Sequence, residues 1–161
     1  MPEVFVGCGS NIDARLNLRW ASQQLKRNFG PLRCSSVYQS PAFGFDGPDF
    51  LNMVVGFETD AAADAVEAVL SDLENARGRG SADRSGSRTL DLDLLSFGDR
   101  VDAARRLPRD DILRYPFVLA PLAELAPEYI HPVTGAAIGA VWQSSAQGAA
   151  ELKQLGTLDV A

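Results

Sequence analysis

Two rhythms of hydrophobic and polar positions run along this chain, and the switches between them mark out its elements. Val4-Phe5-Val6-Gly7-Cys8 is a short apolar run that fits a buried strand, ended by Gly9-Ser10-Asn11. A helix is expected from about Ile12 to Phe29, with Leu18, Ala21, Leu25 and Phe29 at helical spacing. Asp13 is its expected cap and Gly30-Pro31 its stop. Leu32 to Tyr38 reads as a second strand, with Leu32, Cys34 and Tyr38 on alternate positions. A loop rich in Pro, Gly and aromatics, Gln39 to Asp49, leads into a third strand, Phe50 to Thr59. Asp60 is expected to cap a second helix running to about Arg77, with Val66, Val69, Leu70 and Leu73 as its apolar stripe and Gly78 at its end. Thr89 to Phe97 is the fourth strand.

The order β-α-β-β-α-β is that of a split β-α-β unit, so the expected class is α+β: a ferredoxin-like antiparallel sheet with two helices on one face. A C-terminal helical extension follows, with a helix from Phe117 to Ala126 begun by Pro116 and a short apolar turn or helix from Ile138 to Trp142. A single domain is expected over residues 1–161, with its core in about 4–142 and a weakly ordered tail over 143–161.

The fourth strand carries the first chemical signal. Asp91 and Asp93 interrupt its leucines at positions two apart, so both carboxylates project to one face while Leu90, Leu92 and Leu94 project to the other. Like charges about 6.5–7 Å apart beside a core call for a cation, and paired carboxylates suit Mg²⁺ held together with substrate phosphates. A half-exposed edge strand with its polar face in water is the simpler alternative. Arg79, Arg84 and Arg88, in the Gly/Ser/Arg-rich loop just before the strand, favour a polyphosphate site, because guanidinium groups grip phosphate oxygens bidentately. Upstream, Phe43, Phe45, Phe50 and Asn52 could form a slot for a planar heterocycle read at its edge, or the rings could simply cover one end of the core.

Composition narrows the partners. The chain has 161 residues, 46% hydrophobic and 22% charged, with a net charge of −6. No global basic field favours nucleic acid or an anionic membrane, and neither partner is expected. The two cysteines, Cys8 and Cys34, are too few for a disulfide framework, and a reducing cytoplasm is expected. His131, the single histidine, sits in a turn without ligand-spaced partners and reads as structural or exposed. Asp110 and Asp111 are expected to face solvent.

Taken together, these residues resemble the 6-hydroxymethyl-7,8-dihydropterin pyrophosphokinase family. The match centres on Arg84-Ser85-Gly86-Ser87-Arg88-Thr89-Leu90-Asp91-Leu92-Asp93-Leu94. Gly9-Ser10-Asn11, Tyr38-Gln39-Ser40-Pro41, Phe50-Leu51-Asn52, Phe117 to Pro127 and His131-Pro132 extend it in collinear order. The resemblance implies transfer of pyrophosphate from ATP to the pterin hydroxymethyl group, with AMP leaving. It implies that Asp91 and Asp93 bind two Mg²⁺ ions and that Asp93 takes the proton. Arg79, Arg84 and Arg88 would close over the phosphates, with Arg106 and Arg109 near them and Glu74 and Leu94 on the adenine side. Ser40, Pro41, Phe43, Gly44, Phe50, Asn52 and Phe117 would form the pterin pocket, with the monomer as the acting unit. Some positions depart from the family pattern. Ser85 stands where many members have tryptophan, Ser87 stands where they have proline, and the arginine loop is one residue short at Gly80 or Ser81. Pro108-Arg109 replaces a Pro-His pair, and Phe50 replaces a tyrosine. A non-catalytic paralogue that binds pterin or nucleotide in a regulatory role is the alternative these departures leave open.

Overall fold

The computed structural model describes residues 1–42, 44–78, 88–145 and 151–158. Six strands form one sheet: β1 (Glu3–Ser10), β2 (Arg33–Cys34), β3 (Val37–Ser40), β4 (Phe50–Glu58), β5 (Asp91–Phe97) and β6 (Lys153–Gly156). Among the described residues five α-helices accompany them: α1 (Ala14–Phe29), α2 (Ala63–Ala76), α3 (Asp111–Arg114), α4 (Pro116–Leu125) and α5 (Ile138–Ser144). The strand order is β5-β1-β4-β3-β6, with β2 also paired to β4 and every pairing antiparallel. The first four strands of that path are the ferredoxin-like arrangement expected from the element order.

Both faces of the sheet are covered. Val4, Val6, Met53, Val55, Leu92 and Leu94 pack against Leu18, Ala21 and Leu25 of α1 and Val66, Leu70 and Leu73 of α2. The residues between them, Phe5, Val54 and Leu95, turn the other way and pack under Ile112, Val118, Leu119, Leu122 and Ile138 of α3, α4 and α5. This two-sided burial explains why β1 is an unbroken apolar run rather than an alternating one. The C-terminal helical extension is therefore the third layer of a three-layer domain, with the sheet in the middle.

Three local expectations need correction. The strand expected over 32–38 is two strands, because Ser35 breaks the ladder: its Oγ accepts the Val54 N–H at 2.9 Å while its own N–H donates to the Val54 carbonyl. A hydroxyl that takes over a ladder acceptor's place kinks the strand at that point. Neither expected acid cap makes a capping bond. Asp13 adopts a left-handed conformation with no side-chain cap, and α2 starts at Ala63, beyond Asp60. Part of the tail expected to be weakly ordered is β6, paired with β3, and Leu158 just beyond it is buried.

Candidate active site

Register places the carboxylates. Asp91 lies opposite Gly9, Gly9 opposite Asn52, and Asn52 opposite Tyr38, so these four form one row across β5, β1, β4 and β3. The next row runs Asp93, Gly7, Val54. Both rows face α4, while Leu90, Leu92 and Leu94 enter the opposite core, as alternation requires. Glycine in β1 keeps the middle of the first row open: a Cβ on Gly9 would lie 2.6 Å from Asn52 Oδ1.

Above that row is a cavity of about 180 Å³ lined by Gly9, Ser40, Pro41, Phe45, Phe50, Asn52, Arg88, Asp91 and Phe117. Phe45 and Phe50 meet edge to face at 6.2 Å between centroids, and Phe117, from the first turn of α4, stacks on Tyr115 at 5.0 Å. Rings, the Asn52 amide and the Asp91 carboxylate thus share one cavity wall. Of the residues expected to surround it, Gly44 does not line the cavity, and Phe43 lies outside the described residues. Gly44 matters instead as a turn, with φ +82°.

The carboxylate face is bordered by cations on its other side. The Arg109 N–H donates to the Leu95 carbonyl at 2.8 Å, which stitches residue 109 to the outer edge of β5. Its guanidinium then lies 3.9 Å from Asp93 and 3.6 Å from Asp111. Arg106 approaches Asp111 at 3.9 Å. Arg109, only 19% exposed, is therefore held between the site carboxylate and a second acid. This corrects the expectation for Asp111, which is half-buried and paired; only Asp110 faces solvent. Glu74, in the last turn of α2, accepts the outward-pointing Leu92 N–H at 2.9 Å. Leu94 turns its side chain into the core at 6% exposure, so any contact it makes with a nucleotide is through its backbone. Arg79 and Arg84, with Ser85 and Ser87, lie outside the described residues.

One further feature escaped sequence reasoning. Asn11, 5% exposed, donates from Nδ2 to the Pro48 carbonyl and accepts the Arg88 N–H on Oδ1 at 2.7 Å, while its own N–H donates to the Arg88 carbonyl. It thereby pins the residue that enters β5 to the loop that enters β4. Cys8, opposite Leu92, sits behind the carboxylates. Burial pushes its thiol well above the usual range, and the nearby Cys34, Asp93 and Asp91 add to that, so it is an inert core residue. Both cysteines are free. His131 is 4% exposed and structural: its Nδ1 accepts the Val133 and Thr134 N–H groups.

Among the described residues no His, Cys, Asp or Glu makes a group of three or more around a possible metal position. Two carboxylates on one face suit a cation that completes its shell with phosphate and water oxygens, as Mg²⁺ does, better than a closed N/S site.

A family model described as 7,8-dihydro-6-hydroxymethylpterin-pyrophosphokinase (HPPK) matches residues 5–127. The chain belongs to that family. By that membership it is a transferase of the pyrophosphokinase class. It is 40% identical over 138 residues to the 2-amino-4-hydroxy-6-hydroxymethyldihydropteridine pyrophosphokinase of Synechocystis, covering 83% of this chain and 71% of that protein. The Haemophilus influenzae protein of the same name is 33% identical over 139 residues, covering 82% and 86%. A mitochondrial folate synthesis bifunctional protein of pea is 36% identical, covering 76% of this chain and 25% of its own length. Among solved structures, Plasmodium falciparum HPPK-DHPS with pterin and p-hydroxybenzoate superposes with a TM-score of 0.74 at 12% identity. That match covers 95% of this chain and 46% of the other, so this chain spans less than half of the longer protein. At such low identity the likeness concerns the fold alone. Within the described residues no helix is long and apolar enough to cross a membrane.

Proposed function

We propose that this chain transfers pyrophosphate from ATP to the hydroxymethyl group of 6-hydroxymethyl-7,8-dihydropterin and releases AMP. The observation that carries this reading is the shared wall: Asp91 belongs both to the aromatic cavity and to the carboxylate face. A planar heterocycle seated among Phe45, Phe50 and Phe117, with its edge on Asn52, directs a substituent toward Asp91. Asp91 and Asp93 would hold the metal-bound triphosphate beside it. Mg²⁺ bound there, two ions on this reading, would neutralise phosphate charge and polarise the transferred group. Arg88, Arg106 and Arg109 add fixed positive charge, and Arg79 and Arg84 are assigned the same role from their place in the family signature. Glu74 and the Leu94 backbone take the adenine side. Ser40, Pro41 and Gly44 shape the pterin loop.

The hydroxymethyl oxygen forms a bond to the β-phosphorus, the bond from that phosphorus to the α-bridging oxygen breaks, and AMP departs with the electron pair. Asp93 is assigned the hydroxyl proton on this reading. Little covalent work is asked of the protein; positioning and electrostatics suffice for phosphoryl chemistry. The monomer is the acting unit on this reading, and free Cys8 and Cys34 are in keeping with a reducing cytoplasm. The test is incubation with ATP, Mg²⁺ and the reduced hydroxymethylpterin, followed by quantitation of AMP. Stoichiometric AMP formation is expected. Pterin binding without AMP at high protein concentration would refute the catalytic reading in favour of a binding paralogue.

A further inference from the structure

Helix α4 carries the aromatic residue of the cavity at one end and an acid at the other. Phe117 and Glu124 are seven residues apart, two turns, so they share a face about 10.5 Å apart along the axis. That face lies over β3. Glu124 Oε2 accepts the Ser36 N–H at 2.8 Å and the Ser36 Oγ–H at 3.0 Å, while Oε1 accepts the Tyr38 O–H at 2.6 Å. Gln154 of β6 adds a donor to Oε1 at 3.2 Å and another to Ser36 Oγ. Burial pushes the Tyr38 phenol well up, with the Glu124 hydrogen bond and charge adding, so the tyrosine remains a donor throughout the working range. Two residues beyond Tyr38 on the same strand is Ser40, which lines the cavity, and Tyr38 lies opposite Asn52.

Apart from a long hydrogen bond of 3.4 Å from the exposed Arg33 guanidinium to the Leu125 carbonyl, the rest of α4 is held by contacts that have no direction. Val118, Leu119, Leu122 and Ala123 press an apolar underside on Phe5, Val54 and Leu95. Apolar burial fixes how deep a helix sits but only weakly fixes its slide along its own axis. Hydrogen bonds to a carboxylate are directional and among the stronger kind. We infer that Glu124 is a positioning residue for the pterin pocket: clamped on Ser36 and Tyr38, it sets the axial position of α4 and hence where Phe117 stands over Ser40 and Asn52. The inference rests on the proposed pterin site and adds a residue that touches no substrate.

The experiment measures affinity for the reduced hydroxymethylpterin by calorimetry, with Mg²⁺ and a non-hydrolysable ATP analogue present, in the wild type, Glu124→Ala, Glu124→Gln and Tyr38→Phe. Glu124→Ala should weaken pterin binding about tenfold, the scale of one charged hydrogen bond. Affinity for the nucleotide analogue should change by less than about twofold, because Asp91 and Asp93 belong to β5 and not to α4. Glu124→Gln should recover most of the loss: its amide oxygen can accept the Ser36 N–H while its NH₂ donates to a turned Tyr38 hydroxyl. Tyr38→Phe should weaken pterin binding in the same direction by a smaller factor. A folded Glu124→Ala with wild-type pterin affinity, equal losses for both ligands, or a Gln variant no better than Ala would overturn the inference. A wild type that binds nucleotide but no pterin would overturn the proposed function itself, and the clamp's role with it. Should Glu124→Ala not fold, Tyr38→Phe and Glu124→Gln decide the question.

Discussion

Gly9→Ala is the most direct perturbation of the row that joins the two halves of the site. Gly9 does not have a positive φ, so alanine meets no backbone strain there, and restricting the unfolded chain would itself stabilise by about 0.4–1 kcal/mol. The cost comes from one contact, the new Cβ at 2.6 Å from Asn52 Oδ1. An ordinary C···O approach is about 3.3 Å, so roughly 0.7 Å must be absorbed. The next nearest atom, the Leu51 carbonyl oxygen, is at 3.9 Å and undisturbed. Asn52 can relieve the clash only by swinging its amide, and overpacking of this kind costs about 1–3 kcal/mol before relaxation. The cost exceeds the gain by about 1 kcal/mol at mid-range, and the melting temperature should fall by only about 2–4 °C. The moved amide no longer presents its edge to the cavity, so pterin affinity should fall about 10- to 100-fold, as when a buried polar partner is left unmatched. Gly7→Ala is the built-in control: two residues away and opposite Asp93, its Cβ would sit an ordinary 3.4 Å from Leu95. Calorimetric titration with pterin, together with a thermal melt, reads both variants. Unchanged pterin affinity in Gly9→Ala, or an equal loss in Gly7→Ala, would refute this geometry.

Other expectations concern charge, the loop junction and pH. Asp91→Ala or Asp93→Ala should lower AMP formation at least about 100- to 1,000-fold while leaving the urea midpoint nearly unchanged, because both carboxylates are only half-buried; near-normal rates in either would remove the metal assignment. Asn11→Ala removes two hydrogen bonds, one from the Arg88 N–H and one to the Pro48 carbonyl, and should cost about 1–3 kcal/mol in urea unfolding; a loss below about 0.5 kcal/mol would contradict that bookkeeping. Burial lowers the His131 pKa below its ordinary value of 6.5. On acidification through 6.5 the unfolded chain therefore takes a proton that the folded chain refuses. The histidine's contribution is complete above that pH and is lost as pH falls toward the folded pKa. His131→Gln should flatten this part of the stability–pH curve, and an unchanged slope would assign it elsewhere.

What the sequence revealed and what it hid divide along the length of the contacts. Alternation in Asp91–Leu94 is a local property, and it correctly assigned both carboxylates to one face and the leucines to the other. The helices and their glycine stops were likewise local. Ser35 looked like one more strand residue, because nothing nearby shows that its hydroxyl will take the Val54 N–H. Asp111 was expected to face solvent and Glu124 drew no reading of its own, yet the first holds Arg109 and the second reaches back to Ser36 and Tyr38, more than 80 positions earlier in the chain. Lys153-Gln154-Leu155-Gly156 has no apolar rhythm of its own; it becomes a strand because β3 supplies the edge. Leu94 was assigned to the nucleotide by position, but its parity sends the side chain to the core.

That borrowed strand has a consequence for how the protein is made. During synthesis β3 can pair with β4 as soon as residue 58 is out, but its other edge stays bare until residues 153–156 emerge. Through that interval the nascent chain carries an open sheet edge, the kind of template on which neighbouring chains assemble. Expression truncated before Lys153 would make the interval permanent, and the yield of dispersed protein should register the difference.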